Sequence, residues 1–149
     1  MPVGMPERAH PQNPLPMDIK PEASGNANHF QATMDLSLGW EGYYKKWVRS
    51  WHSPTPATLM IRDEFELVRG TGVQWYWQTT LPVTIRGSQI RISGQYGNVT
   101  LEIPDDCTAR VDELPLVDAI QRRIAISKPG TSGTLEVRVT LEPDETASR

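Results

Sequence analysis

Leu135, Val137, Val139 and Leu141 alternate without a break with Glu136, Arg138, Thr140 and Glu142. A two-residue repeat places successive side chains on opposite sides of an extended chain, so this stretch is a strand with one dry and one wet face. The same period runs through Phe30, Ala32, Met34, Leu36 and Leu38, and through Leu59, Ile61, Phe65 and Leu67. Asp63 falls on the apolar side of that last run. A charge there needs an arginine or backbone groups to hold it, because an unpaired buried carboxylate is costly. Val73, Trp75, Trp77 and Thr79 share a face of the next segment, and Ile90 with Ile92, then Val99, Leu101 and Ile103, form two shorter strands.

The connections are short. Gly87-Ser88 joins Val83–Arg86 to Gln89–Ser93, with glycine at the first position of a two-residue loop, as a type II′ turn requires. Only Leu114–Arg123 has helical character, and Pro115 limits it to about two turns. Many short alternating strands joined by hairpins predict an all-β chain, an antiparallel β-sandwich spanning 29–142. Six of the 13 prolines lie within the first 21 residues. Residues 1–28 therefore read as an extended Pro-rich N-terminal arm, excluded from helix and from interior strand. Residues 143–149 read as a polar tail.

Composition narrows the function. The 149 residues carry 15 basic and 18 acidic side chains, a net charge of −3. That balance argues against binding nucleic acid through charge. No apolar run reaches the roughly 18 residues of a membrane helix, and no signal-like stretch opens the chain. His10, His29 and His52 are scattered and Cys107 is solitary, so no metal-ligand spacing is present and no metal or other cofactor is expected. Asp63 lies opposite Glu64 and Glu66 in strand parity, so these carboxylates do not converge on one ion. No nucleophile motif or phosphate-binding loop is present, and no catalytic residue is assigned. Asn98-Val99-Thr100 fits the short glycosylation sequon.

Eight of the 11 aromatic residues fall in two windows. Trp75-Tyr76-Trp77 places its two tryptophans on the apolar face beside Val73, which assigns them to the core. In the other window Tyr43, Trp47 and Trp51 recur every four residues on one strand face, which by parity also carries Lys45 and Arg49. Aromatic rings stack on sugar C–H faces, and guanidinium and ammonium groups bind carboxylate or sulfate. Tyr43, Lys45, Trp47, Arg49 and Trp51 are thus the candidate binding residues for an acidic polysaccharide. The same lysines also suit a solvated edge strand, where they block edge-to-edge pairing.

Three phrases in order carry a resemblance: H-F-Q-A-T-M-D-L-S-L-G-W from His29, Y-Y-K-K-W-V-R-S-W from Tyr43, and A-T-L-M-I-R-D-E-F-E-L from Ala57. Together they resemble the C-terminal β-sandwich region of the heparinase II/III-like polysaccharide lyases. In that family a D-L-S or D-L-T strand precedes a basic-aromatic strand ending in arginine and then a D-x-F-x-L phrase. The counterparts are Asp35-Leu36-Ser37, Lys46 to Arg49, and Asp63, Phe65 and Leu67. The later W-Y-W-Q-T-T-L-P is similar to the segment that follows in the family. The resemblance runs from about 28 to 142 and is closest over 29–82.

Such lyases join a helical α/α toroid to antiparallel β domains and cleave uronic-acid-containing polysaccharides by β-elimination. The resemblance implies a non-catalytic sandwich, accessory to acidic-polysaccharide binding or degradation. Its partner would be a toroid catalytic domain, and its location secreted or periplasmic. The family's histidine-rich and H-N-T-V-like phrases have no counterpart in positions 1–149. A free-standing carbohydrate-binding module and a structural, homo-oligomerising sandwich are the alternative readings.

Overall fold

In the computed structural model, residue 3, residues 19–40 and residues 42–144 are described. Residues 4–18, which hold most of the expected Pro-rich arm and His10, and residues 145–149 of the expected tail lie outside the described residues.

Eleven strands alternate along the described chain: β1 Glu22–Gly25, β2 Phe30–Asp35, β3 Tyr44–Thr55, β4 Thr58–Leu67, β5 Gly72–Thr79, β6 Val83–Arg86, β7 Gln89–Ser93, β8 Gly97–Glu102, β9 Thr108–Pro115, β10 Ile120–Pro129 and β11 Ser132–Pro143. Eight form one antiparallel sheet in the order β1-β2-β3-β4-β11-β8-β7-β6, and β5-β10-β9 form a second sheet. The expected all-β sandwich is the fold. Leu135, Val137 and Val139 of β11, Ile61 and Phe65 of β4, and Ile90, Ile92 and Leu101 of β7 and β8 are buried on one face of the large sheet. Val73 and Trp75 of β5 and Ile124 and Ile126 of β10 are buried on the small one and belong to the same apolar cluster. Trp77 packs against this core and is half-buried.

Gly87 has φ 59° and no described non-glycine residue has positive φ, which is the pattern of the expected type II′ turn between Arg86 and Gln89. Two expectations about element boundaries fail. Leu114–Arg123 is not helical: it contains the end of β9, a hairpin loop closed by Leu116 N–H donating to Ala119 O, and the start of β10. β10 gains hydrogen-bonded neighbours on both sides, in register with β5 and β9, and this pairing outweighs a two-turn helix. Pro115 ends β9, an edge strand, where a missing N–H is tolerated. β2 stops at Asp35 instead of reaching Leu38, because the Asp35 carboxylate accepts the Ser37 N–H and turns the chain into a short 3₁₀ segment, Leu38–Trp40.

The large sheet also takes in β1 as an edge strand paired only with β2, so among the described residues strand pairing starts at Glu22. With three strands facing eight, the small sheet is much the narrower. Its β5 edge faces the large sheet near β3 and β4, where the two sheets together form a cleft.

Candidate functional site

β3 lies between β2 and β4, but β2 pairs only with Val48 to Ser53, so at Lys45 and Lys46 the strand is bordered by β4 alone. Its register with β4 shifts twice, between Tyr44 and Lys46 and again between His52 and Thr55. Tyr44 pairs with Leu67 and Lys46 with Glu66, which leaves Lys45 as the extra residue of a β-bulge. Tyr44 and Trp47 therefore both pack against the core, while Lys45 and Lys46 both reach carboxylates of β4 that point away from it. Lys45 Nζ donates to Glu66 Oε1 at 2.7 Å and Lys46 Nζ to Glu64 Oε1 at 2.6 Å. The lysine bond holds the Glu64 carboxyl below its ordinary range. Lys45 is thus separated from the face of Trp47 and Arg49 that simple parity assigned to it. Tyr43 precedes the strand and sits edge-on to Trp40, with ring centres 6.2 Å apart. Trp51 is half-buried against the core.

On the inner face, Tyr44 stacks on Trp47 at 4.9 Å and 23°, and Trp40 meets Trp47 edge-on at 5.5 Å. The Arg49 guanidinium lies 5.3 Å from the Trp47 ring centre. Arg49 also grips Asp63 in bidentate fashion, Nε to Oδ1 and Nη2 to Oδ2, each at 2.6 Å. This is the partner that the inward position of Asp63 demanded. Burial, followed by the nearby Asp63 charge, pushes the Tyr44 phenol above its ordinary pKa, and Arg49 acts in the opposite sense.

These groups line a cleft of about 210 Å³ between β3 and β4 on one side and β5 on the other. Tyr44, Trp47, Arg49, Asp63, Trp75 and Tyr76 are its main walls. Of the five expected binding residues, the cleft brings together Trp47 and Arg49; Tyr43, Lys45 and Trp51 are not among its lining residues. Tyr44, Asp63 and Tyr76 line it without having been expected there. The bulge that brings Tyr44 inward shows in the structure as Lys45 and Lys46 both reaching carboxylates on one face of β4, and no local sequence pattern announces it. The cleft offers aromatic surface and an internally neutralised ion pair whose remaining N–H groups and oxygen lone pairs suit hydroxyl groups. Among the described residues, no group of three histidine, cysteine, aspartate or glutamate side chains is placed to hold a metal ion.

No family profile matches the chain, and no curated protein matches it in sequence. Its fold is similar to that of solved lyases. Heparan sulfate lyase HepC from Pedobacter heparinus aligns over 85% of this chain and 22% of its own, with 11% identity and a TM-score of 0.66. A mutant of the same enzyme gives 13% identity and a TM-score of 0.65 over the same shares. The heparinase III BT4657 gene product aligns over 83% of this chain and 22% of its own, with 11% identity and a TM-score of 0.61. The chain therefore has a heparinase-like β-sandwich fold and spans about a fifth of the length of these lyases.

Proposed function

We propose that this sandwich is a non-catalytic domain that assists the binding or degradation of an acidic polysaccharide, working beside a catalytic α/α toroid domain in a secreted or periplasmic setting. The observation that carries the reading is the cleft between β3, β4 and β5, where Tyr44, Trp47, the Arg49–Asp63 pair and residues of β5 including Trp75 line a space of about 210 Å³. Such a wall suits a sugar ring: indole and phenol surface for its C–H face, and oriented N–H and carboxylate groups for its hydroxyls. The likeness to heparan sulfate lyases supports an anionic glycan as the ligand class. Arg49 is held by Asp63, so the cleft contributes hydroxyl recognition more than net positive charge.

Calorimetric titration against heparin, hyaluronan and alginate oligosaccharides tests this. The expected result is binding to at least one of them, weakened about tenfold or more by Trp47→Ala in a variant shown to be folded by its near-ultraviolet spectrum. Absence of heat with all three removes the proposal.

A further inference from the structure

The basic residues of β3 all hold carboxylates, which leaves open where the chain could meet the charge of an acidic ligand. The opposite face of the large sheet supplies a second set. Thr84 of β6 pairs with Arg91 of β7, and Arg91 with Thr100 of β8; one row along, Arg86 pairs with Gln89. Residues paired across adjacent strands lie on the same face and about 5 Å apart, so these five side chains form one contiguous patch. They line a concavity of about 330 Å³.

The patch stands on a firm base. Ile90, Ile92 and Leu101, from the same strands, are buried on the other face, and the two-residue turn Gly87-Ser88 fixes the hairpin that carries Arg86. Glu142 Oε2 accepts a bond from Arg91 Nη1 at 3.0 Å, and its Oε1 accepts one from the Thr100 hydroxyl at 3.1 Å. This orients Arg91 while its Nε and Nη2 keep their hydrogens for a ligand. Arg86 is exposed and has no carboxylate partner among the described residues, unlike Arg91, Arg122 and Arg138.

Two guanidinium groups, the Thr84 hydroxyl and the Gln89 amide supply donors with no aromatic ring beside them. Glu142, held by Arg91 and the Thr100 hydroxyl, and Glu102, paired with Gln89, border them on the same face and leave Arg86 as the guanidinium without a carboxylate among the described residues. Such a donor set recognises an oxyanion by charge-assisted hydrogen bonds and does not favour ring stacking. We infer that Thr84, Arg86, Gln89, Arg91 and Thr100 form a second glycan contact, one that takes a sulfate or carboxylate group of the polysaccharide on the face of the large sheet remote from the cleft. The identity of the ligand as a glycan rests on the function proposed above; the oxyanion chemistry rests on this patch alone.

Backbone amide shifts during titration with a heparin tetrasaccharide, a hyaluronan tetrasaccharide and inorganic sulfate separate the possibilities. The expected result is saturable shifts at Thr84, Gln89 and Thr100 with one or both oligosaccharides, and an affinity about five- to tenfold weaker in Arg86→Gln, whose substitution at an exposed side chain leaves the fold intact. Heparin alone producing them assigns the group as sulfate, and hyaluronan producing them as well assigns either oxyanion. Shifts confined to Gln74, Trp75 and Tyr76 would overturn this inference and leave the cleft reading standing; shifts confined to Thr84, Gln89 and Thr100 would do the reverse. Shifts with inorganic sulfate and with neither oligosaccharide would also overturn it.

Discussion

Arg49 and Asp63 face each other across β3 and β4 through two hydrogen bonds of 2.6 Å, on the inner face of the large sheet. The Asp63 side chain is 9% exposed and that of Arg49 22%, so removing one partner strands a charge that water reaches poorly. Asp63→Ala or Arg49→Ala should each cost about 3 kcal/mol or more. The double replacement Arg49→Met with Asp63→Leu should recover most of that, because apolar groups of similar volume leave no unpaired charge. Urea unfolding midpoints of the three variants check this; single losses below about 1 kcal/mol would show that the pair is hydrated in solution.

Trp75 differs from Trp47 and Trp51 of β3 in how deeply it is buried. It is 7% exposed and belongs to the cluster that joins the two sheets, so Trp75→Ala should cost roughly 3–5 kcal/mol. Trp77, on the same face but half-buried at the end of β5, should lose clearly less on the same substitution. Thermal and denaturant unfolding of the two variants should show that order, and equal losses would contradict it.

Where one face of a strand is dry, the sequence states it plainly. Leu135 to Leu141 and Leu59 to Leu67 announce their strands and their inner faces, and the inward Asp63 announces that it needs a cation. The hairpin at Gly87-Ser88 is equally readable, because only glycine suits its first position. Parity fails where an extra residue enters: once Lys45 bulges out, Tyr44 takes the inner place that counting had given to Tyr43, and Lys45 leaves the face of Arg49. Leu114–Arg123 misleads for another reason. Its leucine, valine and isoleucine spacing fits a short helix taken alone; the local β9–β10 hairpin, backed by the ladder with β5, which is formed with residues far away in sequence, decides otherwise. The cleft itself was hidden because it depends on how β5 meets β3 and β4, a relation between sheets that no local pattern encodes.

Cys107 allows a chemical test of its surroundings. Burial first, and then the neighbouring Asp106, push its thiol up to about 11, while Lys128 pulls the other way through its charge. At pH 8 the group is therefore a neutral thiol, and the thiolate is the reactive form. Alkylation by iodoacetamide should be markedly slower at pH 8 in the folded protein than in urea, and should accelerate as the pH approaches 11. A raised folded-state value also means that the thiol's contribution to stability is present below the unfolded thiol's pKa and lost as pH rises through about 11. Equal alkylation rates in the folded and unfolded states at pH 8 would contradict the half-buried placement against the core.

The bulge at Lys45 makes a prediction that distinguishes two kinds of deletion. Lys45 is the residue without a partner in β4, between the Tyr44–Leu67 and Lys46–Glu66 pairs, and both lysines lie on the outer face. Removing Lys45 should join Tyr44 directly to Lys46 and restore an unbroken in-out-in order through Tyr44, Lys46 and Trp47. Every downstream side chain keeps its face, and an exposed ion pair is lost, worth at most about 1 kcal/mol. Removing Ser50 instead shifts the strand by one residue between the two bulges, at a point where Arg49 and Trp51 flank the gap on the same face. Either Arg49 and Trp47 or Trp51 must then turn outward, which parts Arg49 from Asp63 or takes Trp51 off the core. The Lys45 deletion should therefore fold with a near-native unfolding midpoint, and the Ser50 deletion should fail to fold or lose several kcal/mol. Similar losses in both variants would mean that the bulge is required for the Tyr44–Trp47 stack and not merely accommodated beside it.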